Sequence, residues 1–156
     1  LQGARLGQAR LQGAVLWEAR LQGAFLGGAR LQGARLGQAR LQGARLGQAR
    51  LQGARLGQAR FNEQTDLTAA TVRGAAVRSV DCTDVPQIVE HLEEMFGDGS
   101  VRLPEGVARP RHWPKHALNG VVETEDGNEL DRFIYEWRKW QADPGAYEPP
   151  EDADEG

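Results

Sequence analysis

Arginine is the side chain of this sequence best placed to do chemistry. Ten arginines and a single acidic residue, Glu18, fall within residues 1–60, a net charge of +9. Arg10, Arg30 and Arg50 are twenty residues apart, and so are Arg20, Arg40 and Arg60. A guanidinium presents a planar fork of donors that suits phosphate and carboxylate. Should the chain return on itself every twenty residues, each set becomes a column of cations. Such a column offers a surface to nucleic acid, acidic lipid or an acidic protein. Two unit charges about 5 Å apart repel by roughly 1 kcal/mol in water, so a merely solvated face is the plainer alternative. Val15, Trp17 and Phe25 interrupt the pattern with apolar groups expected at the surface, and a contact site is their sharper reading.

The remaining candidates fare worse. His112 and His116 are four apart, as metal ligands on a helix can be, but Pro114 lies between them and no Cys is near. Gly97-Asp98-Gly99-Ser100 has the glycines of a phosphate loop, yet no Lys follows and the segment ends a predicted helix. Cys82, the only cysteine, excludes an intrachain disulfide and reads as a small buried hydrophobe. His91, between Glu90 and Leu92, is expected to be solvated. No nucleophile is paired with a base, so the sequence nominates no catalytic, metal-ligating or cofactor-binding residue and reads as a non-enzyme.

What must position the arginines is a five-residue repeat. Leu occupies every fifth place from Leu1 to Leu56, Phe61 takes the next, and Ala stands two residues before each later one. A helix would scatter these leucines, at about 100° per residue, around all its sides. A continuous strand would flip alternate ones outward. A square, narrow β-solenoid puts every Leu and Ala inside: each pentad is a short extended side and a corner, and four sides close a coil. The pattern also has a period of ten, so opposite sides carry nearly the same sequence. Gln2, Gln22 and Gln42 would then stack as a ladder sharing amide hydrogen bonds. The glycines suit the corners.

The units Ala-Arg-Leu-Gln-Gly and Ala-Arg-Leu-Gly-Gln resemble the pentapeptide-repeat family, written Ala-(Asp/Asn)-Leu-X-X. The resemblance covers residues 1–84 and implies a right-handed quadrilateral β-helix of about four coils. Some members protect bacteria by mimicking DNA and occupying gyrase, a topoisomerase. Those rods are strongly acidic, whereas here Arg replaces the usual Asp or Asn, which counts against that role. The block from Glu94-Met95-Phe96 through His112-Trp113-Pro114, with Glu136-Trp137-Arg138-Lys139-Trp140-Gln141, looks like the C-terminal segment of alphaproteobacterial members.

After Phe61 the frame slips by one residue, with a bulge expected near residues 62–64. Centres at Leu67, Val72, Val77 and Cys82 recover a fourth coil, with Thr65, Ala70, Ala75 and Val80 inward. A solenoid end needs a lid over its core and strand edges. Residues 85–141 are expected to be that cap, with two helices. Asp84 is read as the first N-cap and Gln87 as its capping box. Ile88, Val89, Leu92, Met95 and Phe96 form one apolar face, and Gly97 the stop. Residues 101–103 suggest a short strand, and Asn119-Gly120 a hairpin turn between 117–118 and 121–122. A second helix is predicted over 128–141, burying Leu130, Phe133, Ile134, Trp137 and Trp140.

Residues 142–156 are acidic and read as a disordered tail. Residues 61–156 hold nine Lys and Arg against 21 Asp and Glu, a net −12 that brings the chain to −3. The acidic tail folding over the basic rod is one local use for this asymmetry. With no run of 18 apolar residues and a lone cysteine, the expected setting is the bacterial cytoplasm. The chain begins in mid-repeat and is read as a piece of a longer protein, so an upstream membrane segment stays open. The expected role is a rigid scaffold or protein-interaction module, with oligomeric state open and polyanion binding through the Arg columns as the alternative.

Overall fold

The computed structural model describes residues 1–151. Its repeat region is a stack of parallel single-residue bridges twenty residues apart: Arg5 with Phe25, Arg10 with Arg30, Val15 with Arg35, Arg20 with Arg40, and on through Arg40 with Arg60. Each Leu N–H donates to a carbonyl of the next coil, as from Leu31 to Arg50 at 2.7 Å. The residue before it donates back, as from Arg30 to Ala9 at 2.8 Å. Between bridges a four-residue turn closes from the Ala N–H to the Leu carbonyl three residues earlier, 3.0 Å for Ala34 to Leu31. The chain is thus a β-solenoid.

The third residue of every such turn has positive φ. In seven of the twelve corners of residues 1–60 it is Gly, as at Gly33 (φ 67°), and the preference for glycine there is the usual one. In the other five it is Gln38 (φ 56°), Gln48, Gln58, Gln8 or Glu18. A left-handed residue with a Cβ costs about 1–2 kcal/mol. Gln38 offsets part of this by donating from Nε2 to Gln58 Oε1 at 2.9 Å. The amide ladder therefore forms at a corner column. The column expected from the sequence does not form: Gln22 Oε1 and Gln42 Oε1 are buried with no hydrogen-bond partner.

Inside the coils lie the Leu and Ala rows. Leu21 through Leu56 and Ala24 through Ala59 are at most 3 % exposed. Burying a leucine side chain contributes roughly 2 kcal/mol, so this axial stack is the main stabilising element. In the first coil Leu1 is exposed and Leu6, Leu11 and Leu16 are half-buried.

The slip after Phe61 appears in the bridges, which lengthen to 21 residues at Arg45 with Asp66, Arg50 with Thr71 and Arg55 with Ala76. Asn62 absorbs the extra residue. Its Oδ1 accepts from Gly43 N at 2.9 Å, replacing the carbonyl that serves the equivalent Gly23 N, and from Gln64 N at 3.1 Å. Thr65 Oγ1 donates to the Leu41 carbonyl at 2.9 Å and accepts from Asn62 N at 3.1 Å. Thr65, Ala70, Ala75, Val80, Leu67, Val72, Val77 and Cys82 all point inward as expected.

The C-terminal segment departs from expectation in several places. Pro86–Glu94 is a 3-10 helix rather than an α-helix, and its cap residue is Val85, with no side-chain cap. Gln87 is used elsewhere: its Oε1 accepts from Leu67 N at 2.6 Å, completing the ladder of the fourth coil. Ile88 and Leu92 join the solenoid core while Val89 is exposed. His91 is buried rather than solvated, its Nε2 3.3 Å from the Leu67 carbonyl, which also accepts from Ala70 N at 3.0 Å.

The coil then continues for half a turn more: Ala76 bridges Phe96 and Asp81 bridges Arg102. The hairpin joins β1 (Val121–Glu123) to β2 (Glu129–Asp131), with its turn at residues 124–128. Asn119-Gly120 leads into β1 and does not form the hairpin turn. Gly120 accepts there from Arg132 N at 2.9 Å. The first residues assigned to the second helix are thus strand, and α1 runs Arg132–Ala142, capped by Asp131, which accepts from Ile134 N at 3.1 Å. Phe96, Leu118, Phe133, Trp137 and Trp140 form a second core. Of the stretch expected to be without structure, Tyr147 packs on that core and donates to Glu136 Oε2 at 2.8 Å. Residues 152–156 of the same stretch lie outside the described residues.

Candidate functional site

The ladder converts the arginine spacing into surface geometry. Arg10, Arg30 and Arg50 bridge in one column, and Arg20, Arg40 and Arg60 in another on the opposite side. Strand spacing puts successive members about 4.8 Å apart at the backbone. Beside the first column run Gln8, Gly28 and Gln48, with no carboxylate along the groove. The second groove has Glu18 at one end and Asp81 at the other. Among the described residues none of the ten repeat arginines forms an ion pair. Arg55 and Arg35 stand on a third side in the column Val15, Arg35, Arg55, Ala76. Burial, then Arg35, then Arg138 lower the Arg55 pKa.

The apolar interruptions are exposed, Val15 by 68 %, Trp17 by 57 % and Phe25 by 46 %. Val15 and Trp17 share one side and Phe25 lies opposite, so the structure does not bring the three together. The two rings do not stand free of the rod. Phe25 lies over Gly7 and Gly27, where an added Cβ would stand 2.7 Å and 2.9 Å from the ring. Trp17 lies over Gly37, where the same test gives 3.0 Å. The glycine at the first position after Leu on these two sides therefore makes a floor for an aromatic ring. The signal was present in the sequence as the Leu-Gly-Gln variant of the pentad.

The other sequence candidates are structural. Asp98 is buried and accepts from Ser100 N at 2.9 Å, from Ser100 Oγ and from Leu118 N at 2.7 Å. Gly97-Asp98-Gly99-Ser100 thus ties the last half-coil to residues 113–118. His112 Nε2 sits 2.6 Å from the Met95 carbonyl, with its ring stacked on Trp140, while the His116 carbonyl accepts from Gly99 N at 3.0 Å. Among the described residues no group of three or more His, Cys, Asp or Glu could hold a metal ion. Burial pushes the Cys82 thiol up to about 12. Among the described residues no helix is long and apolar enough to cross a membrane.

The profile described as pentapeptide repeats matches in eight copies, over residues 1–38, 29–68 and 39–81. The chain belongs to the pentapeptide-repeat family. Two solved pentapeptide-repeat structures resemble it. One is a protein of the Arabidopsis thaliana thylakoid lumen, 22 % identical, covering 86 % of this chain and 87 % of that one at a TM-score of 0.37. The other, from Nostoc Pcc 7120, is 27 % identical and covers 69 % and 75 % at a TM-score of 0.26. No curated protein matches the chain. Membership of the pentapeptide-repeat family points to a structural or interaction module.

Proposed function

We propose that the chain is a non-enzymatic docking rod for a protein partner, its coils right-handed and square in section as the family likeness implies. In this reading residues 1–84 are the rod, and the segment from 85 to 141 caps its end. One observation carries it: Trp17 and Phe25 are large, exposed and already held against the glycines beneath them. Aromatic anchors held in place lose little conformational entropy on binding, which is where interfaces gain most of their energy. The test is affinity capture with the chain, its Trp17→Ala variant and its Phe25→Ala variant. A partner retained equally by all three defeats the proposal.

The Arg10, Arg30 and Arg50 column favours a second reading, binding of a polyanion such as nucleic acid or anionic lipid. Its arginines are unpaired among the described residues and no carboxylate lines their groove. Such binding weakens steeply with salt, because each neutralised phosphate releases counterions. No binding to DNA or anionic vesicles at about 50 mM salt ends this reading. Mimicry of DNA toward a topoisomerase draws no support from a rod whose outward columns are cationic, and an unchanged supercoiling assay is expected.

A further inference from the structure

The open groove along the first arginine column has a volume of about 440 Å³, lined by Arg10, Arg30 and Arg50 with Gln8, Gly28 and Gln48. This falls within the range of roughly 300–1,000 Å³ in which small-molecule sites occur. Gln8, Gly28 and Gln48 stack at one corner, all with positive φ, and each arginine follows two residues later on the adjoining side. At the opposite corner the middle coil carries Gln38, which donates to Gln58 Oε1 at 2.9 Å. Here the middle coil carries Gly28, and the missing side chain breaks the ladder. A Cβ built at Gly28 would meet only the Gln8 stem, at 3.4 Å, with nothing else within 4 Å. Among the described residues the side-chain amides of Gln8 and Gln48 make no hydrogen bond. The result is a notch in the middle of the groove, with a free amide on either side.

The three arginines have no carboxylate partner among the described residues. Successive backbones are about 4.8 Å apart. Three like charges in so short a row repel one another, and an anion set along them relieves both pairs at once. The guanidinium fork suits phosphate oxygens, and the Gln8 and Gln48 amides add neutral donors beside it. The row is also short. After Arg50 the column continues with Thr71, and residues 61–156 are strongly acidic, with 21 Asp and Glu against nine Lys and Arg. A long polyanion running that way meets repulsion, whereas a chain of a few phosphates stays on the arginines. In such a chain neighbouring phosphates share one oxygen, so its charge is concentrated as the column's is. In nucleic acid a sugar separates them, and no aromatic side chain lines this groove to receive a base.

From this combination we infer that the groove is a site for a short inorganic oligophosphate. The chain would lie along Arg10, Arg30 and Arg50, with one phosphate lodged in the notch at Gly28. The inference rests on the polyanion reading of the same column and narrows it to a small free anion.

The experiment is an amide NMR titration of the full chain with inorganic tripolyphosphate at about 150 mM salt. Saturable shifts are expected at the Gly28 backbone amide and at the Gln8 and Gln48 side-chain amides. Orthophosphate, too small to span the column, should bind about tenfold more weakly or worse. ATP carries the same triphosphate and should bind no more tightly than tripolyphosphate, since its base finds no ring to stack on. Arg30→Gln should weaken tripolyphosphate about tenfold. Arg35→Gln removes the same charge from the adjoining side and should weaken it less than about twofold. Gly28→Gln separates the notch from the charge. Gln8, Gln38, Gln48 and Gln58 already hold the same left-handed φ, so this variant should fold. The added side chain fills the notch and should weaken tripolyphosphate about fivefold. Orthophosphate binding as well as tripolyphosphate, indifference to Gly28→Gln, or ATP binding more than about tenfold tighter would overturn the inference. Binding of DNA or anionic vesicles at about 50 mM salt with no saturable tripolyphosphate shift would also overturn it while leaving the wider reading in place, so the two fail separately.

Discussion

Replacing Asn62 by Ala tests how the solenoid tolerates the residue inserted after Phe61. In the regular coils the glycine N–H at this corner donates to a backbone carbonyl, as Gly23 N does to Gln42 at 3.0 Å. At Gly43 the insertion has moved that carbonyl away, and Asn62 Oδ1 takes its place at 2.9 Å. Truncation leaves the Gly43 N–H without an acceptor in a partly buried position, at a cost of about 1–3 kcal/mol. The Gln64 N–H also loses Oδ1, but it is exposed and finds water, so it adds little. The expected destabilisation is thus about 1–2 kcal/mol, a urea midpoint lower by roughly 0.5–1 M at an ordinary slope. Amide exchange supplies the local check. Gly43 should exchange about tenfold faster in the variant, with Gly23 and Gly33 unchanged. Asn62→Asp keeps the acceptor and should stay near the parent. An unaltered Gly43 exchange rate together with a midpoint shift below about 0.2 M would refute the replacement-acceptor account.

Three further outcomes are expected. Gly99→Ala places a Cβ 2.3 Å from the Lys115 carbonyl oxygen and 2.6 Å from His116 Cα; backbone must move, and urea unfolding should show a loss of about 3 kcal/mol or more. Cys82 is 1 % exposed and its pKa is pushed up to about 12, so a thiol reagent at mildly alkaline pH should react only after denaturation. The Thr68 hydrogen bonds hold the Asp66 carboxyl below its ordinary value of 3.8. Its contribution is therefore present above that pH and lost as pH falls through the folded-state value. The stability gap between the parent and Asp66→Asn should be small, since the group is exposed, steady near neutrality, and closed in acid.

The Leu and Ala rows were legible because burial on a square coil imposes a strict period that no helix or strand shares. The frame slip was legible too, since Leu67, Val72, Val77 and Cys82 reset the same period, though not the device that heals it. Asn62 serves a backbone group nineteen residues earlier, and nothing local marks that partner. The same limit hid Gln87 and His91. Both read as ordinary helix residues, yet their partner is Leu67, reached only once the helix lies on the fourth coil. The hairpin shifted because Asn119-Gly120 is a strong local turn signal, whereas β1 and β2 pair backbone to backbone around a turn at 124–128. At the site, the Arg columns followed from spacing alone. The cleft lined by Trp17, Phe133 and Ile134 did not, because these residues come to one side of the rod from more than a hundred positions apart in sequence.

The ten-residue period inside a twenty-residue coil gives this rod an approximate twofold screw along its axis. Whatever recognises Arg10, Arg30 and Arg50 meets a near copy, Arg20, Arg40 and Arg60, half a coil away. Valence is therefore built in: a single-headed anionic partner should titrate toward two per rod, and a double-headed one should bridge rods into linear arrays. The second copy differs by Glu18 and Asp81, whose charges should make it the weaker seat and give a stepwise isotherm.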